Sequence, residues 1–109
     1  MIDWTRVSEL RDEIGADDLD EVVAMFLDEA DEVILRIAPD DSAKSLEADL
    51  HFLKGAALNL GFAKFAALCQ DGERRAAGGE TGLNIAAVQE CYALSKAALA
   101  EGILALNAA

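Results

Sequence analysis

The only histidine of the chain, His51, lies in the run His51-Phe52-Leu53-Lys54-Gly55-Ala56-Ala57-Leu58-Asn59-Leu60-Gly61. An imidazole has an ordinary pKa of about 6.5, so at neutral pH much of it is neutral, with a nucleophilic nitrogen that can take up a transferred group such as phosphoryl. Lys54 and Gly55 follow at i+3 and i+4 and Leu58 at i+7, so on a helix the four form one longitudinal row. The lysine offers a mobile positive charge for an anionic group. The glycine costs a helix about 1 kcal/mol relative to alanine. That cost makes sense where something bulky must approach the backbone beside His51. Spacing alone also fits plainer readings, a surface histidine and a glycine at a helix contact.

A helix must carry this row, and the surrounding pattern supplies one. Leu46, Leu50, Leu53, Ala57 and Leu60 form a narrow apolar stripe in a segment from about Ala43 to Leu60. At about 100° per residue, His51 falls about 140° from the centre of that stripe, on the solvent side. Gly61 is placed to cap the C-terminus.

Four further segments read as helices. Asp3 to Ile14 carries Trp4, Val7, Leu10 and Ile14 at helical spacing, with Thr5 as the expected N-cap and Gly15 as the stop. About Asp17 to Ile37 carries Leu19, Val22, Val23, Phe26, Leu27, Ala30, Val33, Ile34 and Ile37, with acidic residues in its first turn, where they suit the helix dipole. Pro39-Asp40-Asp41-Ser42 is a loop. Phe62 to about Ala77 carries Phe65, Ala66, Leu68, Cys69 and Gly72. After the turn Gly78-Gly79-Glu80-Thr81-Gly82, Leu83 to about Leu106 is anchored by Ile85, Val88, Tyr92, Leu99, Ile103 and Leu106. Short connections make successive helices antiparallel neighbours. The expected fold is all-α: one domain over residues 1–109, an antiparallel up-down four-helix bundle with a short N-terminal capping helix. The 109 residues are enough for one core.

The formal net charge of −12 resides entirely in residues 1–50, and residues 51–109 are balanced. Nucleic acid is an unexpected partner, since phosphate backbones need clustered Lys and Arg on one face. The acidic half reads as a solvated surface. No apolar run approaches the roughly 18 residues of a membrane span. Met1-Ile2-Asp3-Trp4 lacks a basic and then apolar leader, so the expected location is the cytoplasm. Cys69 and Cys91, among apolar neighbours, read as buried free thiols, a disulfide being possible but unsupported. A metal-binding bundle would want a second histidine or a Glu-x-x-His arrangement, so no metal site is expected.

The stretch around His51 resembles the signature of the histidine-containing phosphotransfer (HPt) domain family, approximately H-x-L-K-G with a second glycine six residues after the first: here His51, Leu53, Lys54, Gly55 and Gly61. Leu68, Cys69 and Glu73 fit the downstream part of that pattern, and Ile2-Asp3-Trp4 through Leu10 and Met25-Phe26-Leu27 also resemble the family. Phe65 stands for a usual leucine, and Phe52 and Ala56 stand where small hydroxyl residues are common, a departure that bears on partner preference. The resemblance implies a phosphorelay intermediate of two-component signalling. His51 would accept phosphoryl from a receiver-domain aspartate, through Nε2, and pass it to another receiver. Lys54 would offset phosphoryl charge, and Gly55 would let the partner approach. Leu58, Gln70 and Glu73 would dock the partner, orient His51 or line the site, with Glu73 the less suited because a carboxylate repels phosphoryl. The implied partners are response-regulator receiver domains and a hybrid histidine kinase. The implied cofactor set is empty, with Mg²⁺ supplied by the receiver. No ATP-dependent kinase activity is expected, because a phosphate-binding glycine loop and a nucleotide domain are missing from the sequence.

Two other readings share the helices. A non-phosphorylated interaction module would bind receivers or a kinase without using the imidazole. A histidine-kinase dimerisation domain usually has an acidic residue directly after its histidine, where this chain has Phe52, and is built from two long helices. Five helices can close a core alone, so a monomer is the default expectation.

Overall fold

The computed structural model describes residues 1–108, with side chains described as far as Ala105. Its helices are α1 (Trp4–Ile14), α2 (Ala16–Arg36), α3 (Ala43–Leu60), α4 (Ala63–Ala77) and α5 (Ile85–Ala108). Among the described residues the only extended pairing is a single bridge between Ile2 and Phe62. The all-helical expectation holds, and the bounds of α3 are those the leucine stripe implies.

Local chemistry sets the other ends. Asp3, not Thr5, caps α1: its Oδ1 accepts from the backbone N–H of Thr5 at 3.1 Å and of Arg6 at 3.3 Å. Thr5 is already inside the helix, where its own N–H is one of the donors needing a partner. At the last helix, Asn84 Oδ1 accepts from Ala87 N at 3.1 Å, so α5 starts at Ile85 and not at Leu83. Phe62 has a non-helical ψ of 74° and so precedes α4.

The stripe of α3 forms the centre of the core. Leu46, Leu50 and Leu53 are 0% exposed, Ala57 and Leu60 1%. Against it lie Phe62 and Phe65 at the start of α4 and Tyr92 of α5, with ring centroids 5.3 to 6.5 Å apart. Gly72 admits α4 closely: a Cβ there would sit 2.8 Å from Leu50 Cδ1. Of the expected α5 anchors, Ile85, Val88, Tyr92 and Leu99 are buried and Ile103 is partly so. The Leu106 side chain lies outside the described residues.

Polar pairs tie the helices sideways. Arg36 at the end of α2 grips the buried Asp49 of α3 with two hydrogen bonds of 2.9 and 3.0 Å. Tyr92 donates its hydroxyl to Asp31 of α2 at 2.6 Å, and Lys96 pairs with the same carboxylate at 2.9 Å. Burial and the Asp31 carboxylate push the Tyr92 phenol above its ordinary value. Cys69 and Cys91 are free and buried. Burial pushes the Cys69 thiol up to about 12, which keeps it protonated and unreactive.

The N-terminus acts as a strap. Asp3 N donates to Gly61 O at 2.6 Å, Ala63 N donates to Met1 O at 3.1 Å, and the Trp4 indole lies so close to Gly102 of α5 that a Cβ there would collide with it. Val7 and Leu10 of α1 are buried in the core. Among the described residues no helix is long and apolar enough to cross a membrane.

Candidate functional site

Helix α3 turns its apolar stripe inward, and the row that begins at His51 therefore faces out. The His51 side chain is 70% exposed, and Leu58 and Gly55 are exposed too. Gly55 has nothing within 4 Å of where a Cβ would stand. It is therefore not a helix-packing glycine, and it leaves the backbone one turn from His51 bare. Phe52 is also exposed, so apolar side chains flank this open strip.

Helix α4 returns antiparallel after the Gly61 turn and brings Glu73 beside the row. Gly61 adopts φ +74°, and a Cβ on it would sit 2.6 Å from Asp3 O. Only glycine meets both demands without strain. Glu73 Oε1 lies 2.7 Å from His51 Nδ1, and Lys54 Nζ lies 2.7 Å from Glu73 Oε2. The Glu73 side chain is 19% exposed and that of Lys54 25%, so both partners are partly shielded from water while the imidazole is not.

The protonation pattern follows from the carboxylate. Contact with the Lys54 ammonium, and then with His51, holds the Glu73 carboxyl below its ordinary value, although partial burial works the other way. An ionised carboxylate only accepts hydrogen bonds. Nδ1 must therefore carry the proton and donate it to Glu73, which in the neutral ring leaves the lone pair on Nε2. The arrangement can present one nucleophilic nitrogen, in a fixed tautomer, to a group arriving from solvent.

The residues singled out from sequence separate here. His51, Lys54 and Glu73 meet in one cluster. Gly55 and Leu58 lie beside it on the open strip. Gln70 is exposed and reaches the site only as a wall, lining the shallow grooves that also contain Leu58 on one side and Glu73 on the other. Lys54, expected to face phosphoryl oxygens, is held by Glu73. Glu73, expected to be the less suited of the two α4 residues, is the one that touches His51.

Sequence reading passed over four contributors. Asn59 donates from Nδ2 to Gly55 O at 3.1 Å, and Arg6 of α1 reaches Asn59 Oδ1 at 3.4 Å. This bracing supports the turn that Gly55 weakens, and its signal was the i+4 spacing of Asn59 from Gly55. Lys44 and Glu47, two turns and one turn before His51, line the same groove as His51 and Glu73.

Comparison with known proteins bears on this cluster. No curated protein and no solved structure matches the chain. A family model does, described as the Hpt domain and matching residues 21–109, which takes in α3, α4 and every member of the His51–Lys54–Glu73 cluster. Hpt domains are helical bundles that act as phosphocarriers, not kinases, in phosphorelay signalling, where they meet receiver domains and histidine kinases. With residues 21–109, most of its length, matched, the chain belongs to the Hpt domain family.

Proposed function

We propose that this protein carries a phosphoryl group on His51 Nε2 between receiver domains of a multistep phosphorelay. The observation that carries the reading is the hydrogen bond of Nδ1 to an ionised Glu73, on an imidazole that is otherwise open to solvent. In the accepting step Nε2 attacks the phosphorus of a receiver's aspartyl phosphate. The P–O bond breaks, and its electrons return to the aspartate carboxylate. In the donating step a second receiver's carboxylate attacks, and the Nε2–P bond breaks. Phosphoryl transfer of this kind depends on positioning and charge neutralisation more than on covalent chemistry by the protein.

Each residue then has a role. Glu73 fixes the tautomer and the ring orientation. Lys54 keeps Glu73 ionised and adds a positive charge to the cluster. Gly55 leaves room for the receiver, and Leu58, Phe52 and Gln70 give it a surface to rest on. Mg²⁺ would come with the receiver and would supply neutralisation of phosphoryl charge. We take residues 1–109 as one unit, an antiparallel up-down bundle of α2 to α5 closed by α1. A monomer in the cytoplasm, where receivers and kinases of this kind meet, fits a core that the five helices complete themselves.

Incubation with a phosphorylated receiver tests the reading. The protein should acquire acid-labile, base-stable phosphate, and His51→Gln should abolish it. Labelling that survives the substitution sinks the assignment. A protein that binds receivers but takes no label is an interaction module instead.

A further inference from the structure

We propose that Glu73 keeps the Nδ1 proton on the imidazole after phosphorylation, so that phospho-His51 persists as the activated, protonated donor at pH values where an unsupported phosphohistidine has lost that proton. The inference rests on the reading of His51 as the phosphocarrier and concerns the chemistry of its loaded state.

The Nδ1 proton decides how good a leaving group the imidazole is. When Nε2 of the neutral ring attacks phosphorus, Nδ1 already bears a proton, so the product ring carries a positive charge. If that proton stays, cleavage of the Nε2–P bond returns the electron pair to Nε2 and releases a neutral imidazole, the form that began the cycle. If it is lost, the same cleavage must expel an imidazolate anion, a strong base and a poor leaving group. An exposed phosphoimidazole in water exchanges this proton near neutrality.

The structure supplies a reason for it to stay. Glu73 Oε1 is committed to Nδ1 at 2.7 Å, and the carboxylate is only 19% exposed. Removing the proton would set a nitrogen lone pair against a carboxylate oxygen at that distance, a repulsion that favours keeping it on Nδ1. The charged groups near the ring come from both helices. From α3, Lys54 touches the far oxygen, Oε2, and Lys44 and Glu47 lie along the groove; from α4, Glu73 is the group in contact with the ring. Lys54 opposes a cationic ring but is one carboxylate oxygen further away. Glu73 is thus a positioning residue for a proton as well as for the ring.

Phosphoramidate loads histidine without a receiver, and loss of phosphohistidine to water, followed by ³¹P NMR, needs no partner either. In the wild-type chain the rate of loss should be nearly constant between about pH 6.5 and 9, and ¹⁵N spectra of the loaded ring should show Nδ1 protonated throughout. In Glu73→Ala, Nδ1 should deprotonate near neutrality, and loss should slow by up to about tenfold per pH unit above that point. Glu73→Gln, which can still accept the bond but has no charge, should fall between the two. It also serves as the isosteric control for folding, checked by circular dichroism. Removing Glu73 should therefore lengthen the life of the phosphoprotein at alkaline pH, an effect that mere loosening of the fold would not give. Identical pH profiles and ring spectra in all three proteins would overturn the inference and leave the phosphocarrier reading standing. Failure of His51 to take phosphate from either phosphoramidate or a phosphorylated receiver would overturn both.

Discussion

Lys54 and His51 share one carboxylate, and each is constrained by the other's claim on it. With Lys54 at Oε2 and His51 at Oε1, the Glu73 carboxyl is held below its ordinary value, chiefly by the lysine. A carboxyl lowered on folding adds stability above its unfolded value, about 4.3, and the gain disappears as pH falls through the lowered folded value. The difference in stability between the wild type and Glu73→Gln should therefore be present at neutral pH and vanish at the acid end of that window. Lys54→Ala should move the carboxyl up toward its ordinary value, read by carboxyl NMR titration. It should also slow labelling by a phosphorylated receiver about tenfold, the loss expected of one charge-assisted contact. Unchanged titration and rate would remove Lys54 from the mechanism. The row His51, Lys54, Gly55 and Leu58 was legible because it lies within one helix and follows the helical period. The choice of Glu73 over Gln70 was not, because it depends on how far α4 is rotated against α3. A clue existed: Glu73 and His51 lie at similar distances on either side of Gly61.

At the scale of elements, Gly55 within α3 and Gly61 at its C-cap do opposite things, and substitution should separate them. Gly55 faces open space, so Gly55→Ala should raise stability by about 0.5 to 1 kcal/mol through helix propensity alone. Larger residues at 55 should keep the fold but weaken receiver docking, measured as reduced affinity and slower labelling. Gly61 is in the left-handed region against the Asp3 carbonyl. Gly61→Ala should cost about 2 kcal/mol or more in denaturant unfolding, and it should loosen the α3–α4 register on which the His51–Glu73 contact depends. Helix positions were legible from apolar periodicity, and the bounds of α3 agree residue for residue. The start of α1 was not, because Asp3 and Thr5 are both good capping types two positions apart. Backbone geometry decides between them: Asp3 is extended at φ −85°, ψ 93°, and Thr5 is helical.

Across the whole molecule, charge and shape are both uneven. The structure measures 46 × 22 × 20 Å, and its net charge of −12 lies in the first half of the chain. Along α2, Asp17, Asp18, Asp20, Glu21, Asp28, Glu29 and Glu32 are all exposed. Charges this close repel at low ionic strength, where the Debye length is about 30 Å at 0.01 M, and are largely screened at about 8 Å near 0.15 M. Salt should therefore stabilise the fold by about 1 kcal/mol over that range, several degrees in Tm for a domain of this size. Neutralising Asp28, Glu29 and Glu32 to their amides should remove much of the salt dependence, as thermal melts would show. Tm independent of salt would mean that the repulsion is relieved by other means.

The N-terminal strap has a practical consequence for anyone cutting this gene. The family match begins at residue 21, yet Val7 and Leu10 fill the core, and the backbone of Met1 and Asp3 holds the turn between α3 and α4. A chain trimmed to the recognised region would lose one wall of its interior and the tether on the register between its histidine and its carboxylate. The border of the recognisable family pattern is therefore a poor place to cut, and a tag is better tolerated where it leaves the first three residues free to make their contacts.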